Sequence, residues 1–228
     1  MAGNIISAVA DAVPDAIVLI PGSAAQYGAG SGVPLREDAP LVPLSPYGAA
    51  KCALEQACTA PSLRRGVRVV WARSFNHIGP GQGIDSPAGQ WSRQVAEAEL
   101  SGAGAVTTGR LDRVRDFVDV RDIAAAYLDL VSSQAEGAVN VCSGRGVVLR
   151  ELVRELQALT DAPITIVEEE RLFRDPDPEC VVGDNTRLRE LTGWSPTYDF
   201  RTSLADLLDD WRRRVHAVPG EAAVAGCG

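Results

Sequence analysis

The sequence predicts an α/β protein built on a parallel βαβ unit, and three observations carry the prediction. Two short apolar runs, Ile17-Val-Leu-Ile20 and Val67-Arg-Val-Val-Trp-Ala72, have the length and composition of strands buried on both faces. A helix-forming segment separates them, as a parallel crossover requires. Beyond residue 102 the texture changes to shorter strands and helices, as expected of a second lobe.

Taken in order, residues 2–13 read as an alanine-rich helix that Pro14-Asp15 ends. A buried strand at 16–21 stops at Pro21-Gly22, and 28–44, rich in Gly and Pro, forms a long loop over the candidate site. Ser45 N-caps the next helix, and Pro46 takes its first position, where a missing N–H does no harm. That helix carries Tyr47 and Lys51 and runs to about residue 60, ahead of the strand at 67–72. The loop at 74–90 leads into a helix through Trp91 to about Leu100. Asp119 caps a further helix, with Asp122 favourable at its positive end. Then follow a strand at 138–142, an amphipathic helix at 148–160, a strand at 164–168, a short helix at 184–192 and a last helix at 200–215. Trp211 lies on the apolar side of that last helix, and the small-residue tail after Pro219 is expected to fray.

Composition bounds the function classes. The chain has 228 residues, 46% hydrophobic and 23% charged, and no apolar run approaches the ~20 residues of a membrane span. A net charge of -8 and a pI near 4.8 argue against nucleic acid as a partner, while a few arginines still suffice to hold a small phosphorylated ligand. No basic stretch precedes an apolar one at the N-terminus, so no signal peptide and a cytoplasmic location are expected. Cys52, Cys58, Cys142, Cys180 and Cys227 form no CxxC pair and read as reduced thiols. With His77 and His216 the only histidines, no metal site is expected.

The motif of greatest weight is Tyr47-Gly-Ala-Ala-Lys51 together with Ser23. A Tyr and a Lys at i and i+4 share one helix face, where an ammonium favours the ionised form of a phenol and brings it nearer to acid–base work. YxxxK occurs by chance in many helices. Its weight comes from Ser23 at the carboxyl end of a buried strand, where open α/β sheets bind ligands, and from Ser45-Pro46 just before Tyr47.

Other segments extend the pattern: Gly22-Ser-Ala-Ala-Gln-Tyr-Gly28, Ser45-Pro-Tyr-Gly-Ala-Ala-Lys51, Arg73-Ser-Phe-Asn-His-Ile-Gly-Pro-Gly-Gln82, Arg115-Asp-Phe-Val-Asp-Val-Arg-Asp122, Asn140-Val-Cys-Ser-Gly144, Arg174-Asp-Pro-Asp177 and Thr192-Gly-Trp-Ser-Pro196. In order and spacing these resemble an extended short-chain dehydrogenase/reductase of the NAD-dependent epimerase/dehydratase family, nearest the branch that reduces GDP-4-keto-6-deoxymannose. The resemblance implies that Tyr47 is the proton donor or acceptor at a sugar carbonyl or hydroxyl, that Ser23 hydrogen-bonds the same oxygen, and that Lys51 holds the nicotinamide ribose. It implies that Asn76, Arg115 and Arg174 contact the diphosphate or nearby groups of the substrate. From the residues alone, Asn76 also suits a tight loop, Arg115 a surface pair with Asp112, Asp116 or Asp119, and Arg174 a solvated position beside Asp175 and Asp177.

The resemblance also implies NAD(P), whereas the glycine-rich turn that cradles its pyrophosphate is not found, since the clusters at 28–32, 79–83 and 102–104 do not open a helix after a first strand. Aligned by pattern, Met1 falls in the helix before the Ser-bearing strand. The expected architecture is therefore a truncated, Rossmann-like doubly wound sheet with a smaller substrate-binding lobe: core at 1–100 with the Ser/Tyr/Lys trio, mainly substrate lobe at 101–218, and a flexible tail at 219–228. The strand at 16–21 would then show an open edge, to be covered by self-association, a partner chain or the N-terminal helix. Three functions compete: a nucleotide-sugar 4-keto reductase, a cofactor-independent cyclase, isomerase or dehydratase using the same cleft, and a non-catalytic scaffold.

Overall fold

The computed structural model describes residues 2–13, 16–28 and 34–217. Helix α1 (Ala2–Ala12) leads to strand β1 (Ile17–Pro21), a 3-10 turn (Ala24–Gln26), α2 (Pro46–Arg65) and β2 (Arg68–Ser74). β3 (Asn76–Ile78), α3 (Pro87–Ser101), β4 (Gly104–Thr108), β5 (Val114–Asp119), α4 (Val120–Ser132) and β6 (Gly137–Val141) follow. β7 (Gly146–Val148), α5 (Leu149–Ala158), β8 (Ile164–Glu168), β9 (Cys180–Val181), α6 (Thr186–Thr192) and α7 (Phe200–Ala217) complete the described chain.

The core sheet is parallel, in the order β1-β2-β6, with Ile17 opposite Arg68 and Val70 opposite Gly137. Alternation along β2 builds both of its faces. Val69 and Trp71 pack with Ile6 of α1 and Cys58 of α2, while Val70 and Ala72 pack with Ile123, Ala126 and Leu130 of α4 and Leu188 of α6. A strand covered on both faces is apolar at successive positions, here Val69 to Ala72, which is why the run was readable as buried.

A second core lies among α3, α5 and α7. α5 offers it Leu149, Leu152, Val153 and Leu156, the i, i+3, i+4, i+7 stripe of an amphipathic helix. Trp91 and Val95 of α3 and Leu204, Leu207 and Leu208 of α7 close it, with Trp211 half-buried on its flank. Two small sheets accompany this core, β3-β5-β7 with β9 also on β5, and the parallel pair β4-β8.

The expected helices and strands form, with differences at their ends. α2 continues to Arg65, beyond the expected end near 60, and Gly66 (φ 67) follows it. Within the expected loop at 74–90, Asn76–Ile78 pairs in parallel with Phe117–Asp119, and Gly104–Thr108 forms a strand on β8. Such short strands are specified by their partners rather than by their own composition. Of the expected loop at 28–44, residues 29–33 lie outside the described residues, as do Pro14-Asp15 and the tail. The rest is loop pinned at both ends: Gly28 (φ 58) bridges to Val42, and Leu35, buried, bridges to Gly183.

Among the described residues no helix is long and apolar enough to cross a membrane. Cys52, Cys58 and Cys142 are free and buried.

Candidate active site

Parallel pairing brings two loops to one edge. Pro21 lies opposite Ala72, so Ser23 and Ser74 leave the sheet level with one another at the carboxyl ends of adjacent strands, with Asn76 just beyond. Ser23 is half-buried and caps the 3-10 turn, its Oγ accepting from Ala25 N at 3.2 Å. Its hydroxyl proton remains to donate, since an acceptor lone pair serves the cap.

α2 starts as expected, with Gly48 N donating to Ser45 Oγ at 3.0 Å. Tyr47, on its first turn, is 57% exposed. Lys51, one turn on, donates from Nζ to Pro21 O at 2.8 Å and stands 5.7 Å from the centre of the Tyr47 ring. Gly48 permits this approach, because a Cβ there would come within 2.3 Å of Ala25 O. A second phenol lies near: the Tyr127 phenol, pushed up chiefly by burial and further by the neighbouring Tyr47, is 2.7 Å from Ser74 Oγ.

A cleft of about 510 Å³ opens on the second core, against Ala88, Trp91 and Leu149, and it gathers Asn76, Arg115 and Arg174. Arg110, Arg171, His77, Trp91 and Phe173 also line it, whereas Ser23, Tyr47 and Lys51 lie outside it. Asn76 Nδ2 donates to Asp116 O at 3.0 Å. Arg115 pairs with Asp177 at 2.5 Å rather than with Asp112, Asp116 or Asp119, and donates to Val114 O and Pro178 O. Burial holds the Arg115 guanidinium below its usual range, and Asp177 offsets part of that. Arg110 stacks 4.6 Å above the Phe173 ring, and its Nε is buried without a hydrogen-bond partner.

Asp116, whose backbone oxygen holds Asn76, is buried behind the cleft. Its buried carboxylate accepts from Ser143 N (2.8 Å), Ser143 Oγ (2.6 Å), Gly144 N (3.0 Å) and Gly183 N (3.3 Å). Burial pushes this carboxyl up and the four donors pull it back. His77 Nδ1 lies 2.8 Å from Phe75 O, and Asp119 caps α4 through Arg121 N at 2.8 Å.

Sequence reasoning missed Arg110, Arg171 and Phe173, because they stand some sixty residues apart and outside any motif, so no spacing links them. Beneath the trio it also missed Gln26, Glu55 and Arg73. Glu55, four residues after Lys51 and so on the same helix face, was the available hint.

A parallel sheet flanked by helices, with Ser23, Tyr47 and Lys51 toward its carboxyl edge, places the chain in the α/β class, and the comparisons specify the family. The chain belongs to the GDP-mannose 4,6 dehydratase family, whose model matches residues 3–207. GDP-6-deoxy-D-mannose reductase of Pseudomonas aeruginosa is 37% identical over 193 residues, 83% of this chain and 64% of that protein. UDP-glucose 4-epimerase of Azospirillum brasilense is 32% identical over 230 residues, 92% of this chain and 64% of that protein. The solved structure of RMD from Pseudomonas aeruginosa complexed with NADPH superposes with a TM-score of 0.86 at 33% identity, covering 93% of this chain and 72% of that one. The chain thus spans 64% of the length of both curated relatives.

Proposed function

We propose that this chain carries the acid–base group and the substrate cleft of a nucleotide-sugar-modifying enzyme, a reductase acting on a 4-keto-6-deoxyhexose joined to a nucleoside diphosphate. The supporting observation is the convergence of Asn76, Arg115 and Arg174, with Arg110 and Arg171, on one cleft. A diphosphate is the small ligand that such a set of guanidiniums suits.

In this reading Tyr47 gives its phenolic proton to the carbonyl oxygen as the carbonyl is reduced. Ser23 donates a hydrogen bond to the same oxygen and helps stabilise the charge that develops there. Asn76, Arg115 and Arg174 hold the diphosphate and so place the sugar. The relatives include an NADPH complex, and a nicotinamide cofactor, when bound, supplies hydride. The residues present suit its ribose end: Lys51 Nζ spends one donor on Pro21 O and keeps two, on the helix face where Tyr47 stands exposed.

The test is NADPH-dependent reduction of GDP-4-keto-6-deoxymannose by the full chain, with Tyr47→Phe as the control. Reduction that Tyr47→Phe abolishes supports the reading. Turnover of a nucleotide sugar with no nicotinamide present replaces it with cofactor-independent acid–base chemistry.

A further inference from the structure

Ser23 and the Tyr47–Lys51 helix are joined beneath the site by a buried polar chain that the chemistry above does not use. Gln26 is fully buried. Its Oε1 accepts from Ser23 N at 2.9 Å, and its Nε2 donates to Glu55 Oε2 at 2.7 Å. Glu55 grips Arg73 with both oxygens, Oε1 to Nη2 at 2.6 Å and Oε2 to Nε at 3.2 Å. Arg73 Nη1 donates to Tyr27 OH and to Glu37 O, each at 3.0 Å, and Tyr27 OH donates to Asn140 Oδ1 at 2.7 Å. These contacts tie the turn that bears Ser23 to the helix that bears Tyr47, to strands β2 and β6, and to Glu37.

We infer that Gln26, Glu55 and Arg73 are positioning residues that set the Ser23 hydroxyl against the Tyr47–Lys51 face of α2. A capping box alone would satisfy donors within the 3-10 turn. Here the same glutamine reaches out of the turn to α2, and α2 meets the segment 21–26 at four successive places: Gly48 on Ala25, Lys51 on Pro21 O, Cys52 on Gln26 O, and Glu55 on Gln26. Those positions, 48, 51, 52 and 55, are one face of the helix. A buried charged network held at every atom has one arrangement, which suits a site that needs fixed distances.

The inference rests on the reading of Tyr47 as the acid–base group, and the experiment separates the two. Gln26→Met keeps the volume and removes both hydrogen bonds. In the full chain it lowers kcat by about tenfold and leaves KM within about twofold, as misplacement of a reacting group does. NMR of the chain with carbon-13-labelled tyrosine reads the same geometry without turnover: the Tyr47 resonance moves in Gln26→Met while that of Tyr198, stacked on Arg121, stays.

A folded Gln26→Met protein with wild-type kcat and an unmoved Tyr47 resonance overturns the inference. If Gln26→Met does not fold, the isosteric Glu55→Gln supplies the same readouts. If wild type turns over no nucleotide sugar, the functional reading falls, and the Tyr47 resonance alone decides: displacement supports the positioning role and coincidence overturns it.

Discussion

Asp177 accepts from Arg115 Nη2 at 2.5 Å through one oxygen and from Arg113 Nε at 3.3 Å through the other, so one carboxylate serves two guanidiniums. Among the described residues neither Arg110 nor Arg174 has an acidic partner, which leaves the cleft in need of an anion.

Arg174→Ala should therefore weaken GDP or UDP binding by about 10–100-fold, the worth of one charge-assisted hydrogen bond at ~1.5–3 kcal/mol. Titration calorimetry checks this. Asp177→Asn should cost about 1–3 kcal/mol of stability by leaving Arg115 half-buried without its partner, yet should tighten binding of the nucleotide.

Tyr47→Phe should separate chemistry from folding. The side chain is 57% exposed, so loss of its hydroxyl should leave unfolding free energy within about 0.5 kcal/mol. Turnover should fall by about 10²–10⁴-fold, the usual worth of a positioned acid. Urea melts and initial rates on the same preparation test both halves.

Gly48→Ala is the opposite case, a small change that removes no reacting group yet has a large structural effect. The new methyl would sit 2.3 Å from Ala25 O, so helix and turn must part, at a cost of about 1–3 kcal/mol. Denaturant unfolding should show the loss, and turnover should fall with it.

Burial pushes the Tyr27 phenol up to about 12, against 10.0 for a free one. A group raised in the folded state gives stability that is complete below the unfolded value and lost as pH climbs through the folded one. Stability should therefore decline between about pH 10 and 12 as unfolding releases the Tyr27 proton. Tyr27→Phe should flatten that decline, while costing about 1–3 kcal/mol at neutral pH because Asn140 Oδ1 and Arg73 lose a partner. Thermal melts across the alkaline range test the slope.

Among the described residues β1 pairs on one side only, with β2. Its free backbone groups are expected to be covered by a second copy or another chain. Light scattering should give a mass above that of one chain, and a monodisperse monomer with rapid amide exchange along β1 would count against it.

The strands and helices that surround the two cores were legible because each is specified by its own residues. Examples are the β2 run, the α5 stripe, and the Ser45-Pro46 and Asp119 starts. β3 and β4 were not, since pairing with β5 and β8 makes them strands. The same divide holds for the site. Ser23, Tyr47, Lys51, Asn76, Arg115 and Arg174 lie in contiguous motifs and could be named. Asp177 as the partner of Arg115, the Arg110–Phe173 stack and the buried chain through Gln26, Glu55 and Arg73 join residues distant in sequence, which no spacing records.

The four guanidiniums of the cleft belong to a molecule of net charge -8, and the two fields act over different ranges. Beyond a Debye length of about 8 Å at physiological ionic strength, an approaching anion meets a screened but repulsive whole, and only at closer range do the arginines prevail. Added salt should consequently hasten the encounter of a nucleotide with the chain while slackening its final grip. That is the reverse of the electrostatic steering found where the overall charge and the pocket agree in sign.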